Sequence, residues 1–127
     1  MVIDHQSGVP IYEQLLRQFK QLIVTGAIPA DELIPSVRNL SVELAVNPNT
    51  VQKAYSELER LGITYAVPGK GRYVSRDAPA IIRRDYGSKL DEIGVLTKEL
   101  ALIGFKRLQI EEKIQQIFEE VLHDHRP

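Results

Sequence analysis

Cysteine is missing altogether from the 127 residues. That removes disulfides, thiolate metal sites and thiol nucleophiles together. No apolar run approaches the roughly 18 residues that span a bilayer. The start, Met1-Val2-Ile3-Asp4-His5, lacks the basic head and apolar stretch of a signal peptide. A soluble cytoplasmic protein is the expectation. Net charge is also near zero: 16 Lys and Arg against 17 Asp and Glu leave −1, which argues against a nonspecific polycation. Enzymatic signatures are lacking too. The chain has no nucleophile elbow, no metalloprotease histidine pair and no glycine-rich dinucleotide fingerprint. Gly69-Lys70-Gly71 is not a phosphate-binding loop, because no Lys-Ser/Thr step follows it into a helix. His5 stands alone, and His123 and His125, two apart, do not share a helix face. Neither an enzyme nor a cofactor or metal is expected.

The chain does have an ordinary apolar content, 43%, with 26% charged residues. That suits one small domain with a short appendage. The charge is unevenly placed. From Leu33 to Arg76 six basic residues meet three acids, whereas from Asp77 onward eight meet ten. A cationic middle and an acidic tail permit nucleic-acid binding without establishing it.

Periodicity supplies the organisation. Tyr12, Leu15, Leu16, Phe19, Leu22 and Ile23 recur at helical steps, with Pro10 in the first turn and Gly26 after the last. Ala27 to Pro35 reads as a connector. A short helix follows, capped by Ser36 and lined by Val37, Leu40 and Leu44. Val46-Asn47-Pro48 interrupts it. Asn47 caps a third helix that runs to about Leu61 and buries Val51, Ala54, Tyr55, Leu58 and Leu61, with Gly62 ending it. Ile63, Tyr65 and Val67 alternate as in a strand, and Arg72-Tyr73-Val74 returns beside it across Pro68-Gly69-Lys70-Gly71. Three helices and a hairpin make a winged helix-turn-helix over residues 1–76.

Asp77-Ala78-Pro79-Ala80 reads as a linker into a two-helix tail, 77–127. Leu90, Ile93, Leu96, Leu100 and Ile103 form one apolar row. After a break at Gly104, Ile110, Ile114, Ile117 and Val121 form another, flanked by Phe118 and Leu122. The two rows either pack onto the first domain or exceed what one small chain buries, and the second reading implies a homodimer. The predicted class is therefore mainly α with a small β-hairpin, ending in a dimerisation tail.

Pro10-Ile11-Tyr12-Glu13-Gln14-Leu15, Pro35-Ser36-Val37-Arg38, Val46-Asn47-Pro48-Asn49-Thr50-Val51, Lys53-Ala54-Tyr55 and Pro68-Gly69-Lys70-Gly71 occur in that order. The series resembles the GntR family of bacterial transcription regulators, and the short tail is similar to its YtrA-like subfamily. Three positions depart from the family pattern: Asp31 where glycine is usual, Asn39 for glutamate and Ser41 for alanine. The resemblance implies DNA contact by Arg38 and, for YtrA-like members, a frequent neighbourhood of transporter genes. On length, neither an aminotransferase-like fusion nor a large effector domain is expected.

The residue chemistry agrees. A helix entering the major groove needs polar side chains near its N-terminus. The third helix offers Asn49, Thr50, Gln52 and Lys53 opposite its buried stripe. Asn47 and Ser36 are caps first, with DNA contact as a second role. Gly69, Lys70 and Gly71 give a wing tip that approaches DNA closely, supported by Arg72. The expected function is a dimeric repressor binding a double-stranded operator with inverted-repeat half-sites. Alternatives are a winged helix used only for protein interaction, and a regulator with a small-molecule effector, of unknown identity, near the tail.

Overall fold

The computed structural model describes residues 1–124 as five helices and a two-stranded hairpin. Helix α1 spans Ile11–Val24, α2 Val37–Leu44 and α3 Pro48–Arg60. Strands β1 (Thr64–Val67) and β2 (Gly71–Val74) follow, then α4 (Ala78–Leu102) and α5 (Arg107–Asp124). Two compact units result, Met1–Asp85 and Tyr86–Pro127. No helix among the described residues is long and apolar enough to cross a membrane.

The first unit is built on α1 crossing α3. Leu15, Phe19 and Ile23 are buried against Val51, Ala54, Tyr55 and Leu58. Phe19 and Tyr55 meet edge to face, ring centroids 5.5 Å apart. That geometry adds about 0.5–1.5 kcal/mol to the burial of two aromatic rings. Pro10 caps α1 instead of lying inside its first turn. The residues before it are strapped to α1 by two glutamines. Gln14 accepts from the Asp4 N–H and donates to the Asp4 and Val9 carbonyls. Gln18 accepts from the Val2 N–H and donates to its carbonyl.

Helix α2 starts as expected, the Ser36 hydroxyl accepting from the Asn39 N–H at 3.1 Å. Its inward face is narrower than the expected stripe: Leu40 and Ser41 are buried, Val37 and Leu44 half-buried. Ser41 is tolerated inside because its hydroxyl donates to the Arg38 carbonyl. The turn into α3 is closed by Ala45 in the left-handed region, φ 54°, with the Val46 N–H on the Ser41 carbonyl. Alanine carries a Cβ penalty there that glycine does not. Ala45→Gly is therefore expected to stabilise the protein by about 0.5–1 kcal/mol, read as a higher midpoint in thermal or urea unfolding. An unchanged or lower midpoint counts against this account of the turn.

Asn47 then caps α3, its Oδ1 accepting from the Asn49 N–H at 2.8 Å, with Pro48 in the first turn. Leu61 is half-buried just past the helix, and Gly62 at φ 81° ends it.

The hairpin departs from the expected alternation. Ile63 precedes β1 and is buried, as are Thr64 and its register partner Val74. Tyr65 instead faces outward and stacks on Tyr73. Pro68 and Gly69, φ 76°, form the centre of the turn closed by the Lys70 N–H on the Val67 carbonyl, the residue preferences of a type II turn.

The connector before α2 is part of this sheet. The Asp31 and Ile34 N–H groups donate to the Val74 and Arg72 carbonyls, and the Val74 N–H donates to the Glu32 carbonyl. Asp31 takes φ 65°, the position where the family usually has glycine. Its carboxylate accepts from Arg76 and Tyr65, and the Arg76 hydrogen bond first, then that of Tyr65, holds it below the usual carboxylate range.

Ala78 to Ala80 is not a linker but the first turn of α4. Ala78 and Ile82 are buried in the first unit, so the chain has an apolar reason to stay helical there. Pro79 falls in the first turn, where its missing N–H costs nothing. Asp85 closes this segment through an ion pair to Lys20 of α1 at 3.1 Å. In the second unit Gly104, φ 99°, separates α4 from α5 as expected.

Candidate nucleic-acid interface

The side chains singled out on α3 sit on its exposed side. Asn49, Gln52 and Lys53 are exposed and Thr50 is half-buried, while Val51, Ala54, Tyr55 and Leu58 face the core. They are not equally free. Gln52 donates to the Ser56 hydroxyl one turn on, and the Lys53 ammonium rests 4.5 Å from the centroid of the Tyr12 ring. The Asn49 and Thr50 side chains make no hydrogen bond to another described residue. The Asn47 side chain is occupied by its cap.

Arg38 lies in the first turn of α2, exposed, and forms no ion pair among the described residues. Lys70 is exposed at the wing tip between two positive-φ glycines, Gly69 and Gly71. At Gly71, φ 122°, an added Cβ would lie 2.9 Å from the flexible end of Leu33, so the backbone more than the clash demands glycine.

Arg72 points elsewhere than the wing surface. Its guanidinium is half-buried, 5.6 Å from the Tyr55 ring centroid, and its buried Nε has no partner. It forms part of a groove of about 460 Å³ between α2 and the wing, walled by Ile34, Pro35, Ser36, Tyr55, Lys70 and Arg72. Tyr55 closes the groove's floor by donating its hydroxyl to the Pro35 carbonyl at 2.8 Å. Burial pushes its phenol pKa up, so it remains a donor.

Sequence reasoning missed what Tyr12 and the buried Tyr55 hold in place behind this surface. Both look like core positions in a helical pattern, and nothing in their spacing marks the lysine, arginine or carbonyl they meet. Among the described residues no cluster of His, Asp or Glu fits a metal ion, and His125 lies outside them.

In the second unit the predicted rows are on the surface. Leu90, Ile93, Leu96, Ile103, Ile114, Ile117, Phe118 and Val121 are exposed, Leu90 by 72% and Ile103 by 74%. Leu100 and Ile110 are half-buried. No described side chain from residue 86 onward is buried.

Two short helices across a tight turn, a third helix beneath them and a two-stranded wing define a winged helix-turn-helix protein. The profile of the bacterial regulatory proteins of the gntR family matches residues 11–74. The chain belongs to the GntR family. It is 47% identical over 76 residues to the HTH-type transcriptional repressor YtrA of Bacillus subtilis, a match covering 60% of this chain and 58% of that one. It is 38% identical over 112 residues to the HTH-type transcriptional regulator YhcF of the same organism, covering 80% and 91%. Among solved structures, a GntR family transcriptional regulator from Listeria monocytogenes superimposes with a TM-score of 0.71 at 33% identity, covering 90% of this chain and 98% of that one. The DNA-binding domain of AraR in complex with operator ORX1 superimposes with a TM-score of 0.52 at 28% identity, covering 59% and 93%. The relatives are transcription regulators, and the fold is theirs.

Proposed function

We propose that the chain is a repressor that binds an inverted-repeat operator as a homodimer. The first unit supplies one reading head per protomer and residues from the tail hold the pair together. One observation carries the reading: the N-terminal half of α3 presents the Asn49 and Thr50 side chains with no hydrogen-bond partner among the described residues, while Arg38 and Lys70 stand exposed on the neighbouring α2 and wing. Asn49 and Thr50 are assigned to base edges. Arg38 and Lys70 are assigned to phosphates, with Ser36, Gly69 and Gly71 allowing close backbone approach. Gln52, Asn47 and Arg72 support this face through their own ties to Ser56, Asn49 and Tyr55.

The tail assignment rests on exposure. Monomeric soluble proteins rarely leave apolar patches beyond a few hundred Å² uncovered. Burying Leu96, Leu100, Ile114 and Ile117 at about 1.5–3 kcal/mol each offsets much of the cost of association. Paired heads would then want half-site centres roughly 34–36 Å apart.

Selection of bound duplexes from a random pool tests the reading. The parent is expected to return one palindromic site, and Asn49→Ala a site altered at the contacted bases. Arg38→Ala is expected to keep the site and lose about 1.5–3 kcal/mol of affinity, the range for charge-assisted hydrogen bonds, with its melting temperature unmoved. An unaltered site for the Asn49 variant sinks the assignment of the reading face.

A further inference from the structure

We propose that Tyr12 is a positioning residue for DNA binding, its ring holding the Lys53 ammonium at the α1 side of α3 as a phosphate grip and not a reader of bases. The proposal rests on α3 being the recognition helix. The contact is direct: the ammonium stands 4.5 Å from the ring centroid, within the range in which the negative face of an aromatic ring attracts a cation. Lys53 is exposed and lies in the second turn of α3, past the helix tip. Base edges are read chiefly from the N-terminal residues of such a helix, where Asn49 and Thr50 are the unengaged side chains. A lysine held back against α1 is off that tip.

The ring does not consume the lysine's donors. An ammonium has three N–H groups, and a ring face leaves some of them directed outward. What the contact removes is freedom: an unrestrained lysine must be ordered when it meets DNA, whereas this one is partly ordered beforehand. Pro10 fixes the start of α1 two residues earlier, with φ −54°. The Gln14 and Gln18 straps hold the preceding segment. Tyr12 is therefore set on a rigid part of the fold, itself half-buried. Among the described residues Lys53 forms no ion pair, so the ring is its partner there.

The test uses the full chain and the duplex recovered by selection, with affinity measured across a salt series. Tyr12→Phe keeps the ring and is expected to match the parent. Tyr12→Leu is expected to weaken binding about two- to five-fold, the scale of an exposed cation–π contact, with the salt slope unchanged because the phosphate contact persists. Lys53→Ala is expected to make that slope shallower by about 0.9 while the selected site stays the same. The double variant Tyr12→Leu/Lys53→Ala is expected to bind as Lys53→Ala does. Losses that multiply in the double variant, a Tyr12→Phe protein as weak as Tyr12→Leu, or a new preferred site for Lys53→Ala each overturn the proposal.

NMR of the free protein supplies a readout independent of DNA and of any loss of stability in Tyr12→Leu. The Lys53 ε-methylene protons are expected upfield of ordinary lysine values in the parent and in Tyr12→Phe, and at ordinary values in Tyr12→Leu. Ordinary values in the parent also overturn it. If the parent selects no duplex, the DNA-binding reading fails and this proposal with it, an outcome told apart by an upfield shift that persists.

Discussion

Aspartate at both Ile114 and Ile117 is expected to turn the full-length protein into a folded monomer, its melting no longer dependent on protein concentration, that binds its operator some 10²–10⁴-fold more weakly. The two isoleucines are 44% and 48% exposed, so the chain by itself covers only about half of each. Across a dimer interface each charge would have to be desolvated or the contact abandoned. The affinity loss follows because the second head no longer binds at high effective concentration. Sedimentation gives the oligomeric state and a gel-shift titration the affinity. A double variant that still dimerises and binds as the parent does removes α5 from the mechanism. Truncation probes the same question only if the cut respects α4. Ending at Asp85 retains Ala78, Ile82 and the ion pair to Lys20, whereas ending at Arg76 removes two buried apolar residues. Loss of Ile82 alone is a deletion on the order of 2–5 kcal/mol.

Tyr55→Ala is expected to cost about 3–5 kcal/mol, the range for emptying a buried aromatic site. Its ring packs edge-on to Phe19 and under the Arg72 guanidinium, and its hydroxyl ties α3 to the connector ahead of α2. Tyr55→Phe keeps the ring contacts and leaves the Pro35 carbonyl without that donor, so a smaller loss of about 1–3 kcal/mol is expected. Chemical denaturation of the three proteins orders them. If Tyr55→Phe is as damaging as Tyr55→Ala, the hydroxyl and not the packing holds the groove together.

The helices of the first unit were legible because each is written in local terms. Ser36 and Asn47 cap through their own side chains, Gly62 stops α3 by a backbone freedom that only glycine has cheaply, and the apolar steps of α1 and α3 run at the helical period. What was illegible depends on partners distant in sequence. The connector from Ala27 to Pro35 carries two prolines and looks structureless, yet its Asp31 and Ile34 N–H groups are met by β2 some forty residues later. Pro79 looks like a break, but Ala78 and Ile82 on either side of it find the core and carry the helix through. In the hairpin, bulk at 63, 65 and 67 mimicked an inward row; the register with β2 instead turned Thr64 and Val74 inward and set Tyr65 on Tyr73. Among the candidate DNA contacts, position along α2, α3 and the wing was readable. Which of those side chains are already engaged was not, because Tyr12 and Tyr55 act on them from other elements.

The paired connector constrains how this sequence can drift. A surface loop joining two helices ordinarily accepts inserted or deleted residues at little thermodynamic cost. Here one residue more or fewer between Asp31 and Ile34 would shift the connector by one position against β2. The shift would exchange the groups offered to the Arg72 and Val74 backbone and turn buried Ile34 outward in place of Leu33. Variation in this stretch is thus confined to substitution at fixed length, and a linker-scanning library should recover its tolerated insertions at the wing turn and not here.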